Sequence, residues 1–251
     1  MTIVNCKKFR AYFLPALLNP ENLPETAIVM TDVLRASTTM ISALENGAAS
    51  IWPHATIESA RTAASSTENS LLCGERGGKI IDGFDCGNSP REFAPEMVKG
   101  KCLVHCTTNG TVALESCRGA SRVLIGSFVN LNAIVGQLSQ SEVAAVLCAG
   151  TDREVTGEDV LFAGAVAAQL SRMSPDLELN DQAKIGRDHW EAVERRTSAG
   201  ESLSEILGQC RGGVNLLKLG YQADVEFCAQ LDWSTRVPEL DQNSWRIVAS
   251  C

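Results

Sequence analysis

Short apolar runs recur along the chain, separated by polar or glycine-rich stretches. Ala27-Ile28-Val29-Met30, Ser50-Ile51-Trp52, Ser70-Leu71-Leu72-Cys73, Cys102-Leu103-Val104-His105-Cys106, Arg122–Ile125 and Val143–Cys148 are near-continuously apolar. Runs this short predict strands covered on both faces, because a strand wetted on one side alternates apolar with polar residues. Between them lie stretches of helical character: Met40–Asn46 closed by Gly47, Thr56–Ala64, Arg91–Val98, Val112–Cys117, Asn130–Gln140 and the long Glu158–Met173, rich in small residues. Glycine directly after the last helical residues is the expected stop. Strands alternating with helices at this spacing predict α/β layering with a largely parallel sheet.

The last third reads differently. Asp181–Cys210 is charged and helical, with Trp190, Ala192, Val193, Ile206 and Leu207 as its buried positions, and Gly212-Gly213 is expected to break it. A helix Val214–Leu219, a segment Asp224–Cys228 and a terminal hairpin from Arg236-Val237-Pro238 to Arg246-Ile247-Val248 follow. Ser174–Asn180 is the one candidate linker, which gives an α/β core over residues 1–173 and a helical or α+β portion over 174–251, or a single continuous domain.

Gly74–Pro90, GERGGKIIDGFDCGNSP, is the longest unpatterned stretch. Loops of that length are binding or catalytic loops or are disordered; Ile80, Ile81 and Phe84 supply apolar anchors that favour the former. Its five glycines admit positive φ and close approach of backbone to a ligand, and successive N–H groups there can form an anion-binding nest. Glu75 beside Arg76 places a cation ligand next to an anion ligand.

Bulk properties narrow the chemistry. The 251 residues are 45% hydrophobic and 21% charged, with a net charge of −8 and no basic run, which argues against nucleic-acid binding. No segment approaches a membrane span, and the N-terminal MTIVNCKKFRAYF lacks the apolar centre of a signal peptide. Ten cysteines are scattered without a CxxC pair, so a reduced, cytoplasmic protein is expected. Three histidines, His54, His105 and His189, stand too far apart in sequence to read as a zinc cluster. Cys86 and Cys148 lie near the candidate site, but neither sits in a Cx5R loop, and buried packing explains them better.

Ligands of open α/β sheets bind beyond the carboxyl ends of the strands. Asp32, Glu75, Thr107-Thr108-Asn109 and the loop after Cys148 all fall there. Each has a plain alternative. Asp32 either caps the next helix or serves the chemistry, and Ser37 and Thr38 are also available as caps. Thr107-Thr108-Asn109-Gly110-Thr111 is either a tight turn or a set of donors to an oxyanion at a helix start. Glu158-Asp159 either complements its helix dipole or presents one carboxylate to the site.

Asp32-Val33-Leu34-Arg35-Ala36, Gly74-Glu75-Arg76-Gly77-Gly78, Gly83-Phe84-Asp85-Cys86-Gly87-Asn88-Ser89-Pro90, Thr107–Thr111, Gly126-Ser127-Phe128 and Cys148-Ala149-Gly150 keep an order and spacing that resemble the 2-phosphosulfolactate phosphatase (ComB) family. Leu219-Gly220 with Asp224-Val225 continues a weaker match. The resemblance implies a three-layer α/β/α sandwich around a largely parallel or mixed sheet, and a Mg²⁺-dependent phosphoric monoester hydrolase acting on phosphate esters of 2-hydroxycarboxylic acids. The named reaction gives sulfolactate and phosphate on the route to coenzyme M. On that footing Asp32 and Glu75, with Glu158 or Asp159, would hold Mg²⁺. Arg35 and Arg76 would neutralise substrate charge, and Thr107, Thr108 and Asn109 would donate to phosphate oxygens. Ser37, Thr38, Gly77, Gly78, Asn88, Ser89, Gly110 and Thr111 would complete the substrate contacts. The implied partner is a small anionic phosphorylated molecule, with no nucleic acid or membrane and with a homodimer left open. A non-catalytic binder of phosphorylated ligands, or another phosphoryl or acyl chemistry on the same loops, are the rival classes.

Overall fold

Alternation inside the apolar runs decides which layer each strand residue joins. The computed structural model describes residues 4–249. In strand β2 (Thr26–Thr31), Ala27 and Val29 enter one core cluster while Ile28 and Met30 enter the other. Strands β1 (Lys8–Tyr12), β3 (Ser50–His54), β4 (Ser70–Arg76), β5 (Lys79–Ile80), β6 (Cys102–Cys106), β7 (Arg122–Ile125), β8 (Val143–Cys148), β9 (Glu178–Leu179), β10 (Pro238–Asp241) and β11 (Arg246–Ala249) complete one sheet. Their order is β5-β4-β6-β3-β11-β10-β7-β2-β8-β1-β9.

Helices cover both faces, as expected. α1 (Ala36–Glu45) and α4 (Gly110–Ser116) pack on the side of Ile28 and Met30. α5 (Leu131–Leu138), α6 (Gly157–Met173) and α7 (Asp181–Ser198) pack on the opposite side, where Phe128 stacks on Trp190 with ring centroids 5.5 Å apart. α2 (Ile57–Ser65) covers Val104 and Cys106, and the short α3 (Pro95–Val98) precedes β6. α8 (Leu203–Gln209), α9 (Arg211–Lys218) and α10 (Gln222–Cys228) follow α7.

The sheet is mixed in a particular way. β4, β6 and β3 run parallel to one another, as do β7, β2, β8, β1 and β9, but the hairpin β10–β11 joins the two blocks through three antiparallel pairings. The blocks therefore run in opposite senses. Five steps separate β2 from β6, and a twist of roughly 20–25° per step rotates one block by about 100° or more against the other. α1, buried from Ala36 to Leu44, lies across β2, β7, β10 and β11.

Several elements depart from the expected boundaries. Gly74–Arg76 continues β4, and Gly77-Gly78, with φ of +60° and +81°, turns the chain back into β5. Two consecutive positive-φ residues are the demand of a tight two-residue hairpin. α1 starts at Ala36 rather than Met40, which puts Ser37 and Thr38 inside it. Arg91–Val98 is not one helix, because Pro95 cannot continue the single-turn helix Pro90–Glu92 and instead starts α3. Asp181–Cys210 is two helices separated at Gly200, where φ is +104°. Gly212-Gly213 does not break a helix but opens α9; a Cβ at Gly212 would collide with Glu158 Oε1, and one at Gly213 with the Leu207 carbonyl.

Close helix packing gives a test of sign. A Cβ on Gly164 of α6 would run into the Gly186 carbonyl of α7, whereas one on Gly136 of α5 meets nothing within 4 Å. Glycine to alanine in a helix ordinarily gains about 0.5–1 kcal/mol, and overpacking costs about 1–3 kcal/mol. Urea unfolding should show Gly136→Ala stabilised and Gly164→Ala destabilised. Stabilisation of both would mean that α6 and α7 have room to separate.

Candidate active site

The turns after β2, β4 and β6 meet α9 around a cavity of about 340 Å³. Asp32, Arg35, Glu75, Gly77, Gly78, Asn88, Thr108 and Asn109 all line it. The contact between the β2 and β6 turns is direct, since a Cβ on Gly110 would press on Ala36 and on Asp32 Oδ2 at 3.1 and 3.3 Å.

Asp32 bonds the start of the next helix and also lines the cavity. Its Oδ1 accepts from the Ala36 N–H at 3.3 Å, and its own N–H donates to Ser37 Oγ at 2.8 Å. Oδ2 carries no hydrogen bond and remains open beside Gly110. Glu75 has no such freedom. Its Oε1 accepts from the Thr108 N–H and hydroxyl, both at 3.0 Å, and its Oε2 accepts from the Gly78 N–H at 2.8 Å. The carboxylate thus staples the hairpin turn to the turn after β6, and Thr108 spends its donors on Glu75.

The adjacent acids at the start of α6 divide in the same way. Asp159 accepts from the Val33 N–H at 2.9 Å, the Gly150 N–H at 3.0 Å and Thr156 Oγ1 at 3.3 Å, tying the ends of β2 and β8 together. Glu158 lies behind Gly212, which lines the cavity, and its buried Oε2 has no partner. Burial raises the pKa of Asp32, Glu158 and Asp159 above the carboxylate range. Negative neighbours add to it: Asp159 and Glu75 around Asp32, Asp32 beside Glu158, and Glu158 beside Asp159. Asp32 at the cavity and Glu158 and Asp159 behind it thus disfavour one another's ionised forms.

Arg35 is buried and fully oriented. Its NH1 donates to Asp224 Oδ2 at 2.6 Å, its NH2 to the Gly78 carbonyl at 2.8 Å, and its guanidinium lies 4.4 Å from the centre of the Tyr221 ring. Ser89 Oγ donates to the other Asp224 oxygen at 2.7 Å. Asn88 accepts from His105 Nε2 at 3.0 Å, which leaves its amide N–H groups to the cavity.

A family model described as 2-phosphosulpholactate phosphatase matches residues 12–243. The chain belongs to this family. A protein of Thermotoga petrophila named "Probable 2-phosphosulfolactate phosphatase" is 40% identical over 86% of this chain and 88% of its own length. A relative of the same name from Thermotoga maritima is 38% identical over the same shares. Another, from Carboxydothermus hydrogenoformans, is 35% identical over 96% of both chains.

Not every residue of the family-like motifs turns to the cavity. Arg76 follows Glu75 along β4, so alternation sends it to the other side. There it donates to the carbonyls of Glu75 and Ala55 at 2.8 and 3.1 Å and contacts Cys106 Sγ at 3.2 Å. Ser37 and Thr38 are buried in α1, Thr38 bonding the Val33 carbonyl and Ser127 Oγ. Thr107 and Thr111 bond each other at 3.3 Å, also out of the cavity lining.

The stronger motifs also omit one wall, which the weaker match touches only at Leu219. Gly212, Asn215, Leu216 and Leu219 line the cavity from α9, joined by Lys218. Their spacing of three, four and seven residues marks one helical face, a signal present in the sequence and hidden by reading Gly212-Gly213 as a break. Asp224, the partner of Arg35, is likewise outside the predicted set. Among the described residues no three His, Cys, Asp or Glu side chains converge as a ready metal cluster.

Burial holds His105 neutral, with its pKa lowered to about 4. The unfolded chain takes up a proton below its ordinary value near 6.5, while the fold does so only near 4. The stability from this neutral ring is therefore present above pH 6.5 and lost as the pH falls toward 4, at up to about 1.4 kcal/mol per unit. The stability difference between wild type and His105→Gln should shift by this amount in favour of the variant between pH 7 and 4.5. Parallel stability curves for the two proteins would mean that His105 is not held neutral by the fold.

Proposed function

We propose that this protein hydrolyses the phosphate ester of a 2-hydroxycarboxylic acid, converting 2-phosphosulfolactate to sulfolactate and inorganic phosphate. The observation that carries the reading is the meeting of Asp32, with one open carboxylate oxygen, and the pinned Arg35 in a metabolite-sized cavity. Relatives bearing that phosphatase name match most of the chain. The bond between phosphorus and the C2 oxygen breaks, water supplies the new oxygen on phosphorus, and the C2 oxygen takes up a proton. Such transfers depend mainly on positioning and charge neutralisation. Arg35 and the amide of Asn88 orient the anion, and Glu75 and Asp159 keep the three turns in place around it.

The open oxygens fit Mg²⁺. Asp32 Oδ2 and Glu158 Oε2 are hard donors without protein partners, beside a cluster of mutually repelling carboxylates. We assign metal binding to these two rather than to Glu75 or Asp159, whose oxygens already accept protein hydrogen bonds. The ion would neutralise phosphate charge during transfer, and Mg²⁺ commonly keeps several waters, so two carboxylates suffice. Nine described cysteines are free, which supports a reducing, cytoplasmic setting. Among the described residues no helix is long and apolar enough to cross a membrane.

Phosphate release from 2-phosphosulfolactate, measured with Mg²⁺ and with excess EDTA, tests the reading. Asp32→Asn should lower kcat by roughly two orders of magnitude or more. Cys148→Ala should keep most turnover, because burial raises that thiol well above the range in which a thiolate forms. Full activity in EDTA would remove the metal, and an active Asp32→Asn would remove Asp32.

The two arginines should also separate. Arg35→Lys loses the planar fork that joins Asp224 to Gly78 and should impair kcat/KM strongly. Arg76→Lys, whose contacts lie on the other side of β4, should cost stability more than turnover. The reverse ranking would place Arg76 at the substrate.

A further inference from the structure

Most charged side chains lining the cavity are already engaged by the protein. Arg35 pairs with Asp224, Asp152 with Arg211 at 3.1 Å, and Glu75 with the Gly78 and Thr108 donors. Lys218 is the exception among the lining cations: it makes no ion pair or hydrogen bond. It stands on the last turn of α9 next to Leu219, and a Cβ on Gly78 would meet Leu219 Cδ1 at 2.7 Å, so the hairpin tip abuts α9 beside this lysine. Asn215 precedes it by one turn, and Leu34, Leu216 and Leu219 form the apolar part of the wall.

We infer that Lys218 is a specificity-determining residue that receives the strong-acid anion on the carbon beyond the phosphate ester, the sulfonate of 2-phosphosulfolactate. The inference rests on the proposed reaction. A chain of net charge −8 does not attract a multiply charged anion by its overall field, so each anionic group needs a local cation. Arg35 has its charge matched by a buried carboxylate, and Asp32 and Glu158 serve the phosphate end. Lys218 supplies the unmatched positive charge. A flexible ammonium suits a sulfonate, whose three equivalent oxygens make little directional demand, whereas a planar guanidinium suits a carboxylate.

The test compares wild type, Lys218→Gln and Lys218→Arg on 2-phosphosulfolactate and on 2-phospholactate, which has a methyl group in place of the sulfomethyl. The lysine is exposed at a helix end, so neither variant should disturb folding. Lys218→Gln should raise KM for the sulfonated substrate about tenfold more than for the unsulfonated one, the size of one charge-assisted hydrogen bond. Lys218→Arg should recover most of that loss, and kcat should fall less than KM rises, the mark of lost ground-state binding. Equal effects on both substrates, or none, would overturn the assignment. If wild type hydrolyses neither compound, the proposed reaction fails, and calorimetric binding of the same two compounds decides Lys218 separately. A preference for the sulfonated compound that vanishes in Lys218→Gln would uphold it; an unchanged preference, or no binding of either, would overturn it.

Discussion

The buried ion pair between Arg35 and Asp224 joins residues 189 positions apart in sequence, with both side chains no more than 3% exposed. Taking two charges out of water is costly, and such a pair is tolerated when other hydrogen bonds satisfy what remains of each group. The Gly78 carbonyl and the Tyr221 ring do this for Arg35, and the Ser89 hydroxyl does it for Asp224. The turn after β2, the glycine hairpin, the turn before α3 and α10 are thus held to one another through a single guanidinium–carboxylate unit. Its contribution lies less in net stability, which an apolar replacement could match, than in orientation. An arginine held by an oxygen on each fork and a ring on its face has one way to point.

The carboxylates extend this logic. Glu75 and Asp159 are placed at the site, but their oxygens are taken up by backbone N–H groups of neighbouring turns. They act as internal caps for loops that would otherwise carry unsatisfied donors. Asp32 and Glu158 keep one open oxygen each, Asp32 Oδ2 beside Gly110 and the buried Glu158 Oε2 behind Gly212. Four acids of similar sequence context therefore divide by the hydrogen-bond supply around them, a division invisible in residue type alone.

What the sequence exposes follows from locality. Asp32, Glu75, Thr108 and Asn109 are legible because each directly follows or ends an apolar run, and the length of the run marks the strand end. Arg76 is misplaced when Gly74–Pro90 is read as one loop, since strand alternation up to Arg76 is what turns it from the cavity. β1 escapes notice because Lys8 and Arg10 interrupt its apolar residues, although Phe9 and Ala11 are buried. The α9 face is written in the spacing of Gly212, Asn215, Leu216 and Leu219, but that this face meets the β2 and β4 turns, and that Asp224 pairs with Arg35, depends on contacts across most of the chain.

The carboxyl-end rule brings Asp32, Glu75, Thr108 and Asn109 to one cavity here for a reason other than the usual one. In a uniformly parallel sheet all carboxyl ends share one edge, but the terminal hairpin between β3 and β7 sets the two blocks in opposite senses. By sense alone, the ends of β4 and β6 would lie opposite those of β2 and β8. Accumulated twist across the intervening strands turns opposition into a crossing, and the starts of α1 and α4 come into contact at Ala36 and Gly110. A side chain at Gly110 would crowd this approach, and one at Gly212 would strike Glu158. The cavity thus lies between two half-sheets rather than along one edge, and the C-terminal hairpin, remote from it in sequence, fixes the angle at which they meet.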